Sequence, residues 1–225
     1  MAGREPGKGA GAFFCGDEWT LGGAMSGTGL GWSQGDRAKA AAKLMVGWVA
    51  LLWLLEVVDV VSGHALDSLG IIPRGPSELI DIVPAAFIHF GFAHVAANTV
   101  PLLVFGFLAA LGGIRRFVAI SALIIVADGL GVWLISPAHT NTAGASGLIF
   151  GLFGFLLVSG FVERRAVGIV VGLLIGAVWG TSILLGLAPT QSGVSWQAHL
   201  IGLAAGVGAA FVFRRRPTPR TALTS

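Results

Sequence analysis

Six stretches of the chain are apolar almost without interruption: Leu44–Val61, Ala93–Leu111, Phe117–Ile135, Ala143–Val162, Ala166–Leu187 and Trp196–Phe213. None shows the period-two alternation of apolar and polar residues that a lipid-facing barrel strand requires. Each is close to the roughly 20 residues that an α-helix needs to cross a bilayer. The pattern predicts an all-α membrane protein built as a bundle of six spans. The polar positions divide these runs unevenly. Arg37, Lys39 and Lys43 precede span 1, Arg115 and Arg116 separate spans 2 and 3, Arg164 and Arg165 separate spans 4 and 5, and Arg214–Arg216 follow span 6. The remaining connections hold only Arg74. Basic residues stay on the cytoplasmic side, so both termini are expected there, and spans 2, 4 and 6 enter from outside.

The first outer connection, residues 62–92, is long and carries apolar runs at Ile71–Ile72 and Ile82–Ile88. Loops of that length usually have structure or function of their own, and short helices lying at the outer interface are expected here. Residues 1–36 read as a Gly-rich disordered tail, residues 37–216 as the membrane domain, and residues 217–225 as a short cytoplasmic tail.

Composition agrees with a bilayer protein. Of 225 residues, 55% are hydrophobic and only 11% charged, against about 25% charged in an ordinary soluble domain. The net charge of +3 is spread over short basic connections. That distribution excludes a nucleic-acid-binding face. One cysteine, Cys15, permits no intrachain disulfide.

Polar side chains inside spans are costly and mark function. His94 and Asn98 lie four residues apart near the start of span 2 and share one helical face. Ser146 lies near the start of span 4, and His199 in the first turn of span 6. All three spans enter from outside, so these four groups fall at one depth. A serine hydroxyl needs a neighbouring base to become a nucleophile, and histidine is the usual base at neutral pH. Attack on an amide creates an oxyanion that needs fixed donors. Asn98, His94 and the Ser146 backbone N–H could supply them. Gly147 and Gly151 on span 4, with Gly202 and Gly206 on span 6, form small-xxx-small pairs that let two helices approach closely.

These residues carry a resemblance. Residues 89–98 (His-Phe-Gly-Phe-Ala-His-Val-Ala-Ala-Asn), Gly144-Ala145-Ser146-Gly147, and Ala198-His199 through Gly202 resemble the motifs of rhomboid intramembrane serine proteases of the compact six-helix type. The resemblance spans about Leu44 to Phe213. It implies a serine endopeptidase with Ser146 as nucleophile and His199 as base. His94, Asn98 and the Ser146 N–H would form the oxyanion hole. It further implies that Gly144 keeps the approach open, that Phe150 sets an aromatic ring against His199, and that His89 ties down the first outer loop. The implied substrates are single-span membrane proteins cut near the outer face of the cell membrane, with no cofactor and no metal. The alternative reading is an inactive member that binds membrane clients. One departure stands out. The family often carries a Trp-Arg pair in the first outer loop, and those places hold Ile80 and Asp81 here.

Other polar residues fit weaker roles. Asp128, within span 3, could orient His199 as the acid of a triad, or stay protonated against a neighbouring helix. Glu56 and Asp59 near the outer end of span 1 are expected to reach water, and His64 and His139 to be solvated. His89 with His94 lacks the carboxylate or Cys companions of a metal site.

Overall fold

The computed structural model describes residues 33–189 and 193–215. Those residues hold seven α-helices: α1 (Gln34–Val61), α2 (Ile82–Ala85), α3 (Phe92–Ala110), α4 (Ile114–Ile135), α5 (Ser146–Val162), α6 (Ala166–Gly186) and α7 (Trp196–Val212). Two short 3-10 turns, Ala65–Leu69 and Pro76–Asp81, precede α2. Among the described residues there is no strand, only one isolated antiparallel bridge between Ile71 and Thr142. Helices α1, α3, α4 and α6 are long and apolar enough to cross a membrane. Helices α5 and α7 are shorter apolar helices of 17 residues each.

The helix edges show where hydropathy misleads. Helix α1 begins ten residues before its apolar run. Ser33 caps it, its hydroxyl accepting the Asp36 N–H at 3.1 Å, so the end of the expected 1–36 tail is already helix; residues 1–32 and 216–225 lie outside the described residues. Good helix formers such as Arg37, Lys39 and Lys43 extend the helix although they are polar. Helix α5 starts late, at Ser146, because Gly144 has φ +131°, which no helix tolerates, and its N–H bonds the Ala85 carbonyl at 2.8 Å.

Helix α5 has 11 of its 17 residues buried and packs on α3, α4, α6 and α7. Its closest partner is α7. A Cβ added at Gly202 would lie 2.8 Å from the Gly147 carbonyl carbon and 3.1 Å from its Cα, and one added at Gly206 would overlap the backbone of Gly151. The two small-xxx-small pairs therefore face each other and form the α5–α7 contact. At the opposite end of α5 from Ser146, Glu163 takes the Arg116 guanidinium and the Arg215 backbone N–H. Arg116 also donates to the Phe213 carbonyl at 3.0 Å. This clamp joins the ends of α4, α5 and α7.

The connection between α1 and α3 is stitched to α4 and to the segment that leads into α5. Ile71 and Thr142 exchange two backbone hydrogen bonds of 2.9 and 3.1 Å. Arg74 donates to the Ser136 carbonyl at 3.0 Å, Trp133 Nε1 to the Gly75 carbonyl at 2.8 Å, and Asn141 Nδ2 to the Asp67 carbonyl at 2.8 Å. These bonds anchor the loop in a chain that has Ile80 and Asp81 where a Trp-Arg pair is usual; Ile80 itself is exposed. Glu56 and Asp59 depart from expectation. Both are 1% exposed rather than hydrated; over Asp59 the turn after α1 folds back, with His64 Nδ1 and the Leu66 N–H on its carboxylate.

Candidate active site

Ser146 is the first residue of α5. It follows Ala145, which is fully buried, so the hydroxyl is presented at a fixed point where loop becomes helix. His199 lies in the first turn of α7, His94 in the first turn of α3, and Asn98 one turn further along α3. A cavity of about 760 Å³ brings all four to one wall, together with Phe150 and Trp196. The volume falls within the usual range of ligand pockets, about 300–1,000 Å³.

The His199 ring is held on two sides. Its Nδ1 lies 2.7 Å from the Gly186 carbonyl at the end of α6. A carbonyl only accepts, so Nδ1 carries the proton and Nε2 keeps its lone pair. The ring also stacks on Phe150 with centroids 3.9 Å apart and planes 10° from parallel. Gly186 must be glycine for this arrangement. A Cβ there would meet Phe150 Cζ at 2.5 Å and His199 Nδ1 at 3.2 Å. Sequence reasoning missed Gly186; its only signal was a glycine at the end of the fifth apolar run. The Gly186 carbonyl also occupies the position that a triad acid would take, so Asp128 does not orient His199. Between Ser146 Oγ and the His199 ring no hydrogen bond is closed in this structure, and such bonds often tighten only when substrate arrives.

His94 stands beside Ser146. A Cβ built on Gly144 would lie 2.7 Å from His94 Cε1, 2.8 Å from Nε2 and 3.8 Å from Ser146 Oγ. Gly144 is thus required twice, once by its φ and once by the ring that fills its missing side chain. Asn98 is 6% exposed, and its Nδ2 is buried with no partner. A buried amide N–H₂ without an acceptor costs about 1–3 kcal/mol, and it is a donor available for charge that develops in the cavity.

His89 lies outside the helices and is 1% exposed. Its Nε2 accepts the Ala145 N–H at 3.3 Å, and its ring meets His94 edge to face at 4.9 Å. It therefore joins the first outer connection to the residue before Ser146. Burial, and then the nearby His94, pushes the His89 imidazole down to about 4. The unfolded ring takes its proton near 6.5. Between these values the unfolded chain binds more protons, so the stability His89 contributes is full above about 6.5 and is lost as pH falls toward 4. The span of the shift corresponds to at most about 3 kcal/mol. Melting curves should show a clear fall in Tm between pH 6.5 and 4, and a shallower fall in His89→Ala. Equal slopes in the two proteins would contradict this role.

Asp128 lies behind the site. It shares a cavity of about 20 Å³ with Ser146, Gly144 and Ala198, which has room for a single water. A Cβ on Gly147 would meet Asp128 Cγ at 2.6 Å, so Gly147 makes room for this carboxyl as well as for α7. Asp128 Oδ1 is buried without a partner.

Comparison with known proteins adds the following. Residues 76–216 match the family model described as the rhomboid domain. The chain is 47% identical over 173 residues to an uncharacterized protein of Mycobacterium tuberculosis, covering 73% of this chain and 72% of that one. It is 39% identical over 197 residues to an uncharacterized protein of Mycobacterium leprae, covering 81% and 78%. A Bacillus subtilis protein named "Putative rhomboid protease" is 28% identical over 167 residues, covering 70% and 80%.

Proposed function

The chain belongs to the rhomboid family, a family of intramembrane proteases embedded through several helices, and from that premise we propose that it is a serine endopeptidase acting through Ser146 and His199. The observation that carries the reading is the single cavity into which α3, α5 and α7 bring His94, Asn98, Ser146 and His199. In this reading all six long or apolar helices cross the cell membrane, with both termini in the cytoplasm.

The chemistry follows from the groups present. His199 Nε2 takes the proton of the Ser146 hydroxyl while Oγ attacks the scissile carbonyl carbon. The oxygen gains negative charge and is met by the Asn98 Nδ2–H, the His94 ring N–H and the Ser146 backbone N–H. As the C–N bond breaks, His199 returns the proton to the leaving amine, and an acyl-enzyme remains on Ser146. Water then attacks the ester with His199 again as base, and Ser146 is restored. The stacked Phe150 and the Gly186 carbonyl hold the imidazole in one orientation throughout.

The substrates are single-span membrane proteins whose helix unwinds locally and enters the cavity between α3 and α6. Backbone polar groups bared by unwinding are tolerable only where they line a wet cavity, and this one opens among polar loop residues such as Thr140 and Asn141. The test is a single-span reporter carrying small residues near its outer end, reconstituted in liposomes with the purified protein. Mass spectrometry of the fragments should place the cut within a few residues of the outer face. A cut in the cytoplasmic half, or no cut in any reporter, would overturn the reading.

A further inference from the structure

The outer end of α1 gathers charge that the proposed proteolysis does not use. Glu56 and Asp59 lie one turn apart on α1, and both are 1% exposed. The turn that follows folds His64 and Asp67 back onto Asp59. Asp59 Oδ2 lies 2.8 Å from His64 Nδ1, and Asp67 Oδ2 lies 3.9 Å from the same nitrogen. Asp59, His64 and Asp67 each offer one ligand atom within 4.8 Å of the others. Glu56 lies one turn back on α1, outside that ligand group.

Two features set this cluster apart from ordinary surface acid. Both Glu56 oxygens are buried with no hydrogen-bond partner, and so is Asp67 Oδ1. Among the described residues no Lys or Arg forms an ion pair with Glu56, Asp59 or Asp67; their one cationic neighbour is His64. Two carboxylates beside one imidazole leave at least one negative charge unbalanced, and buried charges are normally paired or coordinate a metal.

We propose that Asp59, His64 and Asp67 form a divalent-metal site that takes Zn²⁺, with water completing the four-coordinate shell. Imidazole with carboxylate oxygens is a donor set that suits zinc, whereas calcium and magnesium prefer oxygen alone. Ligands about 2.0–2.2 Å from a tetrahedral zinc stand a little farther apart than Asp59 and His64 do and a little closer than His64 and Asp67 do, so small side-chain rotations close the shell. Zinc replaces the proton now shared between His64 Nδ1 and Asp59 Oδ2. The other Asp59 oxygen already accepts the Leu66 N–H at 2.8 Å, the outer bond that orients a ligating carboxylate. The His64 side chain is 58% exposed and that of Asp67 36%, which leaves an entry path from the aqueous side. The ion would pin the start of the first outer connection to α1. Through the Asn141–Asp67 hydrogen bond it would also brace the segment that leads to Ser146.

The test is equilibrium dialysis of the detergent-purified full chain, stripped with a chelator and then titrated with Zn²⁺, with Tm followed in parallel. The expected result is one Zn²⁺ per chain and a raised Tm. His64→Ala and Asp67→Asn lie on the turn and leave the helices intact; each should lower affinity at least tenfold. Zinc uptake that is unchanged in His64→Ala and Asp67→Asn would overturn the site, as would no uptake in the wild type. Ca²⁺ bound as tightly as Zn²⁺ and indifferent to His64→Ala would overturn the imidazole's part in it.

Discussion

Ser146→Ala should abolish cleavage of a membrane-span reporter, with a fall of at least about a thousandfold in turnover. The hydroxyl is the only group in the reading that forms a bond to substrate; the cavity's other hydroxyls, among them Ser136, Ser182 and Ser195, take no part in it. His199→Ala should cost nearly as much, since an unassisted serine hydroxyl is a weak nucleophile. The double variant should be scarcely worse than either single one, because residues that act as a unit are grossly non-additive. All three proteins should bind reporter and melt close to the wild type. Cleavage that persists in Ser146→Ala, or losses that multiply in the double variant, would remove the dyad from the account.

Replacing Gly206 by valine should be the most damaging change to the fold. A side chain there overlaps the Gly151 backbone, and backbone cannot rotate out of the way as a flexible side chain can. Overpacking an adaptable core site costs about 1–3 kcal/mol, and a site closed by backbone should exceed that. Helices α5 and α7 must separate, which carries His199 away from Ser146 as well. Gly208, two residues on in the same helix, provides the control. Nothing lies within 4 Å of its would-be Cβ, so Gly208→Ala should be neutral, or stabilising by roughly 0.5–1 kcal/mol through helix propensity. Thermal melts of both variants in detergent check the pair. A Gly206→Val protein as stable as Gly208→Ala would show that the helices do not meet through these glycines.

Local sequence order carried much of this molecule into view. Six apolar runs predicted six helices, and the structure has a helix at each. The groups at positions 94, 98, 146 and 199 were legible because topology places the starts of alternate spans at one end, and all four line one cavity. The features that escaped depend on contacts between distant segments. Gly186 holds His199 through a backbone carbonyl, which no side-chain pattern reveals. The late start of α5 follows from the φ of Gly144 and its bond to Ala85, a conformation invisible to hydropathy. Glu56 and Asp59 sit near the end of an apolar run and read as hydrated. Asp59 is buried because His64, itself at φ +65°, turns the chain back over it.

The most direct test of the central claim is covalent labelling with a fluorophosphonate, followed by peptide mapping. The reagent reports an activated serine without requiring knowledge of the substrate. The account predicts one phosphonyl adduct on Ser146 and its loss in His199→Ala, in which the hydroxyl remains but its base is gone. An adduct on another serine, or an adduct on Ser146 that forms at the wild-type rate without His199, would contradict it.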